Sequence, residues 1–232
     1  MKQKMWIAVL GITLSLTACG TKAPADQPEI PIQQTEQTEV PTDPSTEVPA
    51  VPEAYLEIIA QYQVAIKEQY DPIRMEEKNL NAMASVIAQE EDATVGYEIT
   101  DLNGDNVNEL LIGVNGSSDF YGSMILDLYT QEAGTAVRLF QSAERNRWYH
   151  CDGGAALNIG SSSAMESFYY LCTADRELAF IDAVEYDSVT YPDDPWFAFT
   201  GETWEHIDED TARQKMQELE SLITPMELTE FS

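Results

Sequence analysis

Between Ala93 and Thr200 apolar residues recur at every second position in short runs, and this two-residue period constrains the fold more than any other feature. Val95, Tyr97 and Ile99 alternate with polar residues, and after a polar loop Leu110, Ile112 and Val114 do the same, which predicts a β-hairpin. Further strands are expected over 123–130, 136–141, 147–151, 167–173, 178–187 and 196–200. Gly134, Asp152-Gly153-Gly154, Asp175 and Pro192-Asp193-Asp194-Pro195 supply turn chemistry between them. The expected product is a meandering antiparallel sheet.

Before this region the period is helical. Tyr55, Ile58, Ile59, Tyr62, Ile66 and Tyr70 fall on one helix face, and Asp71-Pro72 ends it because the residue before proline is pushed out of the helical region. A second helix is expected from about Met75 to Gln89, with Leu80, Met83, Val86 and Ile87 inward. After the strands, Asp208 is a good N-cap for a last helix to about Ile223, stopped by Pro225. Two N-terminal helices, a meandering antiparallel sheet and a C-terminal helix define an α+β class.

The N-terminus carries a different message. Met1-Lys2-Gln3-Lys4 precedes a short apolar run and a small-residue exit, the pattern of an export signal too short to span a bilayer. Leu16-Thr17-Ala18-Cys19 resembles the lipobox of bacterial lipoproteins, which implies cleavage after residue 18 and diacylation of Cys19. Two acyl chains suffice for stable anchoring. Residues 19–52 then form an acylated cysteine and a disordered Pro/Thr/Glu-rich tether, whose composition buries too little apolar area to offset its ordering entropy. Residues 53–232 form a single α+β extracytoplasmic domain.

Twelve Lys and Arg against 41 Asp and Glu give a net charge of -29, and loss of Lys2 and Lys4 with residues 1–18 lowers it to -31. Such a chain repels the phosphate backbone, so nucleic acid is excluded as a partner.

One stretch carries metal chemistry. Asp101, Asn103, Asp105 and Glu109 place side-chain oxygens at relative positions 1, 3, 5 and 9, and the Val107 carbonyl falls at position 7, a spacing suited to Ca2+. Asn106 replaces the glycine of an EF-hand and Ile112 its bidentate glutamate. The strand-like flanks make the segment resemble the strand-loop-strand calcium hairpins of integrin-type repeats, with Asp119 or Asp127 as a remote acid. A tight Asn/Gly/Asp turn without metal accounts for the same residues.

Other candidates are weaker. His150 and His206 lack the partners of a catalytic triad or zinc motif. Arg138, Arg145 and Arg147, three of six arginines, could form a ligand-contact patch with Trp148 and Tyr149, or pair with surface carboxylates. Tyr191, Trp196, Phe197 and Trp204 could line a groove or fill a core. Cys151 and Cys172 could form a disulfide or remain buried thiols.

Taken with the tether, the helical start, the Asp101-to-Leu110 loop followed by Leu111-Ile112-Gly113, and Arg145-Asn146-Arg147-Trp148-Tyr149, the chain resembles uncharacterised surface lipoproteins of Gram-positive (Bacillota) bacteria. The resemblance implies an anchored extracytoplasmic domain with a cation in the hairpin and brings no reaction with it; the domain is expected to be a monomer at the outer face of the cell membrane. The leading expectation is a non-enzymatic module that binds an extracellular protein or glycan and is stabilised by Ca2+. The alternative is a cell-wall or glycan hydrolase using paired carboxylates drawn from Asp182, Glu185 and Asp187.

Overall fold

The structure is a computed structural model that describes residues 51–116, 122–161, 167–173 and 179–231, with the backbone alone for 167–173. Cys19, the signal and tether segments up to residue 50, and Asp119 lie outside the described residues. The protein is mixed, with helices and one antiparallel sheet.

Helix α1, Glu53–Lys67, buries Tyr55, Tyr62 and Ala65, with Ile58, Ile59 and Ile66 packed beside them. The expected second helix is broken in two: α2 spans Pro72–Glu77 and α3 spans Ala82–Ile87. Asp71 caps α2 through the Arg74 amide, and Pro72 follows at its first position, where a missing N–H costs nothing. The break lies at Asn79, whose φ of 58° is left-handed, and at Asn81, which caps α3 through the Met83 amide. Both asparagines favour these conformations over helix interior. No described helix is long and apolar enough to cross a membrane.

The strands are β1 Ala93–Thr100, β2 Glu109–Gly116, β3 Met124–Glu132, β4 Thr135–Gln141, β5 Asn146–Cys151, β6 Ala155–Ser161, β7 Ser167–Thr173, β8 Phe180–Tyr186, β9 Trp196–Phe199, β10 Trp204–His206 and β11 Thr229–Glu230. Along the sheet the order is β10-β9-β8-β7-β6-β5-β3-β2-β1-β11, with β4 paired to β3 off this path. Every pairing is antiparallel. After the sheet α4 spans Glu209–Glu220, and Asp208 caps it by accepting from the Thr211 amide at 2.9 Å. Three strands escape the periodicity argument. β10 and β11 are too short to carry a period, and Ala155-Ala156-Leu157-Asn158-Ile159-Gly160 has low β-propensity yet is held between β5 and β7.

Apolar residues fill both sides of the sheet. The larger cluster joins the helices to Leu110, Ile112, Val114, Met124 and Leu157, and the second holds Leu111, Ile125, Leu128, Phe140 and Trp148. Glu109 through Val114 are therefore buried without alternation.

At its centre the sheet forks. Met124 and Ile125 of β3 pair with β5, whereas Asp127 onward pairs with β4 on the same edge. The fork leaves carbonyls without ladder partners, and Asn81 supplies them: its Nδ2 donates to Leu126 O at 2.8 Å and to Ser142 O at 2.9 Å. Leu126 O also accepts the Ser142 amide at 2.8 Å. Asn81→Ala removes a helix cap and both donors from a buried site, so we expect a loss of about 3 kcal/mol, read as a lower urea midpoint at unchanged slope. An unchanged midpoint would show that the fork closes without it.

Candidate functional site

The Asp101–Glu109 segment connects β1 to β2 and is folded on its own side chains. Asp101 accepts the Gly104 amide at 2.8 Å on one oxygen and the Asn106 amide at 2.9 Å on the other. Asn103 Oδ1 accepts the Asp105 amide at 2.9 Å, and Asp105 Oδ1 accepts the Val107 amide at 2.7 Å. Such side-chain-to-backbone bonds are the local preference of Asx residues. Gly104 and Asn106 both take left-handed φ, 77° and 67°. Asparagine is among the few residues other than glycine that enter this region readily, so Asn106 can meet the demand for which an EF-hand uses glycine.

Glu109 closes the segment from within the core. It is fully buried, with Oε2 accepting the Leu102 amide and Oε1 the Thr130 hydroxyl, each at 3.0 Å. Burial pushes its carboxyl above the ordinary range and the charges of Asp105 and Asp101 add to the rise, against the pull of these two hydrogen bonds. The loop also rests on the β5–β6 turn: a Cβ on Gly154 would lie 2.1 Å from Leu102 O, and its φ is 78°. Only glycine fits there. Ile112 lies in the core of β2 and offers no oxygen side chain to the loop. Among the described residues no three His, Cys, Asp or Glu side chains are gathered as a metal-holding group. The donor set is nonetheless of the hard oxygen type that Ca2+ takes.

Asp127 belongs to a different assembly, which sequence reasoning missed. A register shift between Ile112/Gly113 and β3 makes Leu126 an extra residue, so Leu126 and Asp127 both turn toward the helices. Asp127 is fully buried and accepts the Tyr62 hydroxyl on Oδ2. The Tyr62 oxygen in turn accepts the Asn81 amide at 2.7 Å. Arg138 Nε lies 3.2 Å from Asp127 Oδ1 as an ion pair, while its N–H groups are aligned on the Tyr129 hydroxyl at 3.0 and 2.8 Å. Further Arg138 N–H groups donate to Asn79 and Gln141. Burial raises the Asp127 carboxyl to about 6 despite Arg138, and it raises the Tyr129 hydroxyl to about 12 with the help of Asp127. Tyr62 is likewise pushed up.

The remaining candidates are dispersed. Arg145, Arg147 and Tyr149 line a shallow pocket of about 270 Å³, but Trp148 points through the sheet and stacks on Phe140 at 4.0 Å. The four-residue ligand-contact patch is therefore not assembled. Arg138 is tied into the Asp127 network on β4. Cys151 is a free, buried thiol, raised to about 11 by burial, and β6 separates its strand from Cys172, which stands opposite Ala156 on the sheet. Strands two apart are about 9 to 10 Å from each other, beyond disulfide reach, so of the two alternatives the bridge is disfavoured and Cys151 is a buried thiol.

His150 Nδ1 contacts Thr224 O at 3.1 Å, and His206 Nδ1 lies 2.9 Å from Asp194. Asp182 is bound by Lys215 at 2.7 Å, and Asp187 accepts the Val189 and Thr190 amides of its own turn. Glu185 lies opposite Phe197, on the face away from Asp182 and α4. These three acids do not face one another across a cleft. Trp196 turns toward the helices, whereas Tyr191, Phe197 and His206 gather on the other face with ring separations of 4.1 to 5.5 Å.

Comparison of the chain with protein-family models, curated proteins and solved structures finds no match. Function must be argued from the residues.

The Asp127 network makes a signed prediction. Its carboxyl is raised from the ordinary 3.8 to about 6, so the folded state holds that proton more tightly. The associated stability is fully present below about pH 4 and is lost as pH rises through 6, an effect of about 3 kcal/mol. Asp127→Asn removes the titration, and urea unfolding between pH 4 and 7 should then fall less steeply than in the wild type. Equal slopes would count against a buried, titrating Asp127.

Proposed function

We propose that the chain is a lipid-anchored, non-enzymatic binding module at the extracytoplasmic face of a Gram-positive cell membrane, a single α+β domain over residues 53–232 with one structural Ca2+ loop. Helices precede and follow its meandering sheet, and its partner is an extracellular protein or glycan. The anchoring part rests on Leu16-Thr17-Ala18-Cys19. Cys19→Ala should move the protein from the membrane fraction to the medium, or leave it as an uncleaved precursor, and an unchanged mature protein in the membrane would overturn lipid anchoring at this residue.

The observation that carries the metal part is the buried Glu109 carboxylate, which feels the like charges of Asp101 and Asp105 at the end of a loop already bent by left-handed Gly104 and Asn106. Asp101, Asn103, Asp105 and Glu109 would supply side-chain oxygens and Val107 its carbonyl. A bound cation would neutralise that repulsion and tie the β1–β2 loop to the core. The placement of Asp182, Glu185 and Asp187 with separate partners gives the hydrolase reading no support.

Calorimetry distinguishes metal from bare turn. Millimolar CaCl2 should raise the melting temperature by several degrees over an EDTA control, since a ligand at about 100 times its Kd stabilises by about 2.7 kcal/mol. MgCl2 at equal ionic strength controls for charge screening, and Asp101→Ala should abolish the Ca2+ shift. A melting temperature that ignores Ca2+ would leave the loop a metal-free turn.

A further inference from the structure

We infer that the pocket between the β8–β9 connection and the start of α4 binds an organic ammonium ion. This gives a ligand class to the binding module proposed above, although the pocket is separate from the Asp101–Glu109 loop and does not need Ca2+.

The pocket has a volume of about 560 Å³, within the range of small-ligand sites. One wall is aromatic. Tyr186 and Trp196 stand directly opposite each other in the β8–β9 register, on the face turned to the helices, with ring centroids 4.6 Å apart. Trp196 is half-buried against the main core, which fixes its ring, and Met216 of α4 completes the apolar side. Backbone bonds hold this wall in place: the Asp187 amide donates to Pro195 O at 2.9 Å, and the Ile207 amide to Trp196 O at 3.1 Å.

The other side is anionic. Asp193, Asp194, Asp208 and Glu209 line it against the single cation Arg213. Arg213 is already spent on Glu209, to which its Nε donates at 2.9 Å. Asp208 is held ionised by the Thr211 amide and hydroxyl, which pull its carboxyl below the ordinary range. Asp194 is paired with His206 at the rim, and among the described residues Asp193 has no ion pair or hydrogen bond.

These features select one class of ligand. Anions are repelled by the carboxylates. A neutral molecule would displace water from them without replacing its hydrogen bonds, which costs free energy. A hydrated inorganic cation would gain little from the rings. An alkylammonium group satisfies both walls at once, because its charge meets the carboxylates while its methyl or methylene groups lie on the electron-rich faces of Trp196 and Tyr186.

The test is isothermal titration calorimetry of the full-length protein at fixed ionic strength, with choline as the quaternary probe, butylamine as the primary one and 3,3-dimethylbutan-1-ol as the uncharged isostere of choline. We expect saturable binding of at least one ammonium probe, at least tenfold tighter than the neutral alcohol. The preference between choline and butylamine then tells whether methyl-ring contact or N–H donation to the carboxylates dominates. Trp196→Ala and the double variant Asp193→Asn, Asp194→Asn should each weaken binding at least tenfold. Because Asp193 and Asp194 are exposed, the double variant should keep the wild-type melting temperature, so its loss of binding cannot be ascribed to unfolding. Equal binding of the alcohol, no saturation by either amine, or wild-type affinity in the folded double variant would each overturn the assignment. A result that depends on Ca2+ would overturn the independence of the two sites and leave the metal loop to be judged by its own melting shift.

Discussion

Everything central in this protein is arranged around one extra residue in β3. The register shift at Ile112/Gly113 lets Leu126 and Asp127 share a face, and so delivers a carboxylate into the apolar space between helix and sheet. A buried carboxylate is costly unless it is bonded and paired. Here Tyr62 from α1, Tyr129 from β3 and Arg138 from β4 surround it, and Asn81 from the α2–α3 connection holds the Tyr62 oxygen. Four segments, α1, the α2–α3 connection, β3 and β4, are thereby fixed to one another. The same Asn81 closes the fork at which β3 exchanges β5 for β4. Local strain, helix breakage and sheet branching are solved together rather than separately.

The acidic β1–β2 loop sits at the margin of that core and depends on it. Its outer residues are bonded to their own backbone, but Glu109 anchors it to Leu102 and Thr130, and Tyr55 of α1 donates to Asn108 O at 2.7 Å. The Gly154 turn presses against Leu102 and Asn103 from the other side. A loop so supported is shaped before any ligand arrives, which reduces the ordering cost that binding would otherwise carry. The ammonium pocket at the far strands follows a comparable logic, with a rigid aromatic wall opposed to charges on a helix start.

Much of the fold was legible in the residues. Tyr55, Tyr62 and Ile66 announced α1, Asp208 announced α4, and the two-residue steps of Val95, Tyr97 and Ile99 and of Leu110, Ile112 and Val114 announced the β1–β2 hairpin, although β2 and β3 are buried on both faces and so carry no clean alternation. The division between α2 and α3 was not legible from apolar spacing, since Leu80, Met83 and Ile87 keep helical steps from the connection into α3, and Val86, expected inward, is exposed because α3 is a separate short helix. The separation of Trp148 from Tyr149, by contrast, follows from the strand expected over 147–151, because adjacent strand residues face opposite sides, and only Tyr149 lies with Arg145 and Arg147.

By itself the sequence determined the mixture of helices with antiparallel strands, the polarity and the oxygen-rich spacing of Asp101 to Glu109, since these are properties of neighbours along the chain. Tertiary structure alone decided that Asp127 is a buried partner of Arg138, that Cys151 stands one strand removed from the strand of Cys172, and that Tyr186 and Trp196 meet Asp193 and Asp208 in one pocket. The reason is physical: bulges, forks and strand order set which distant residues share a face, and none of them leaves a period in the local pattern.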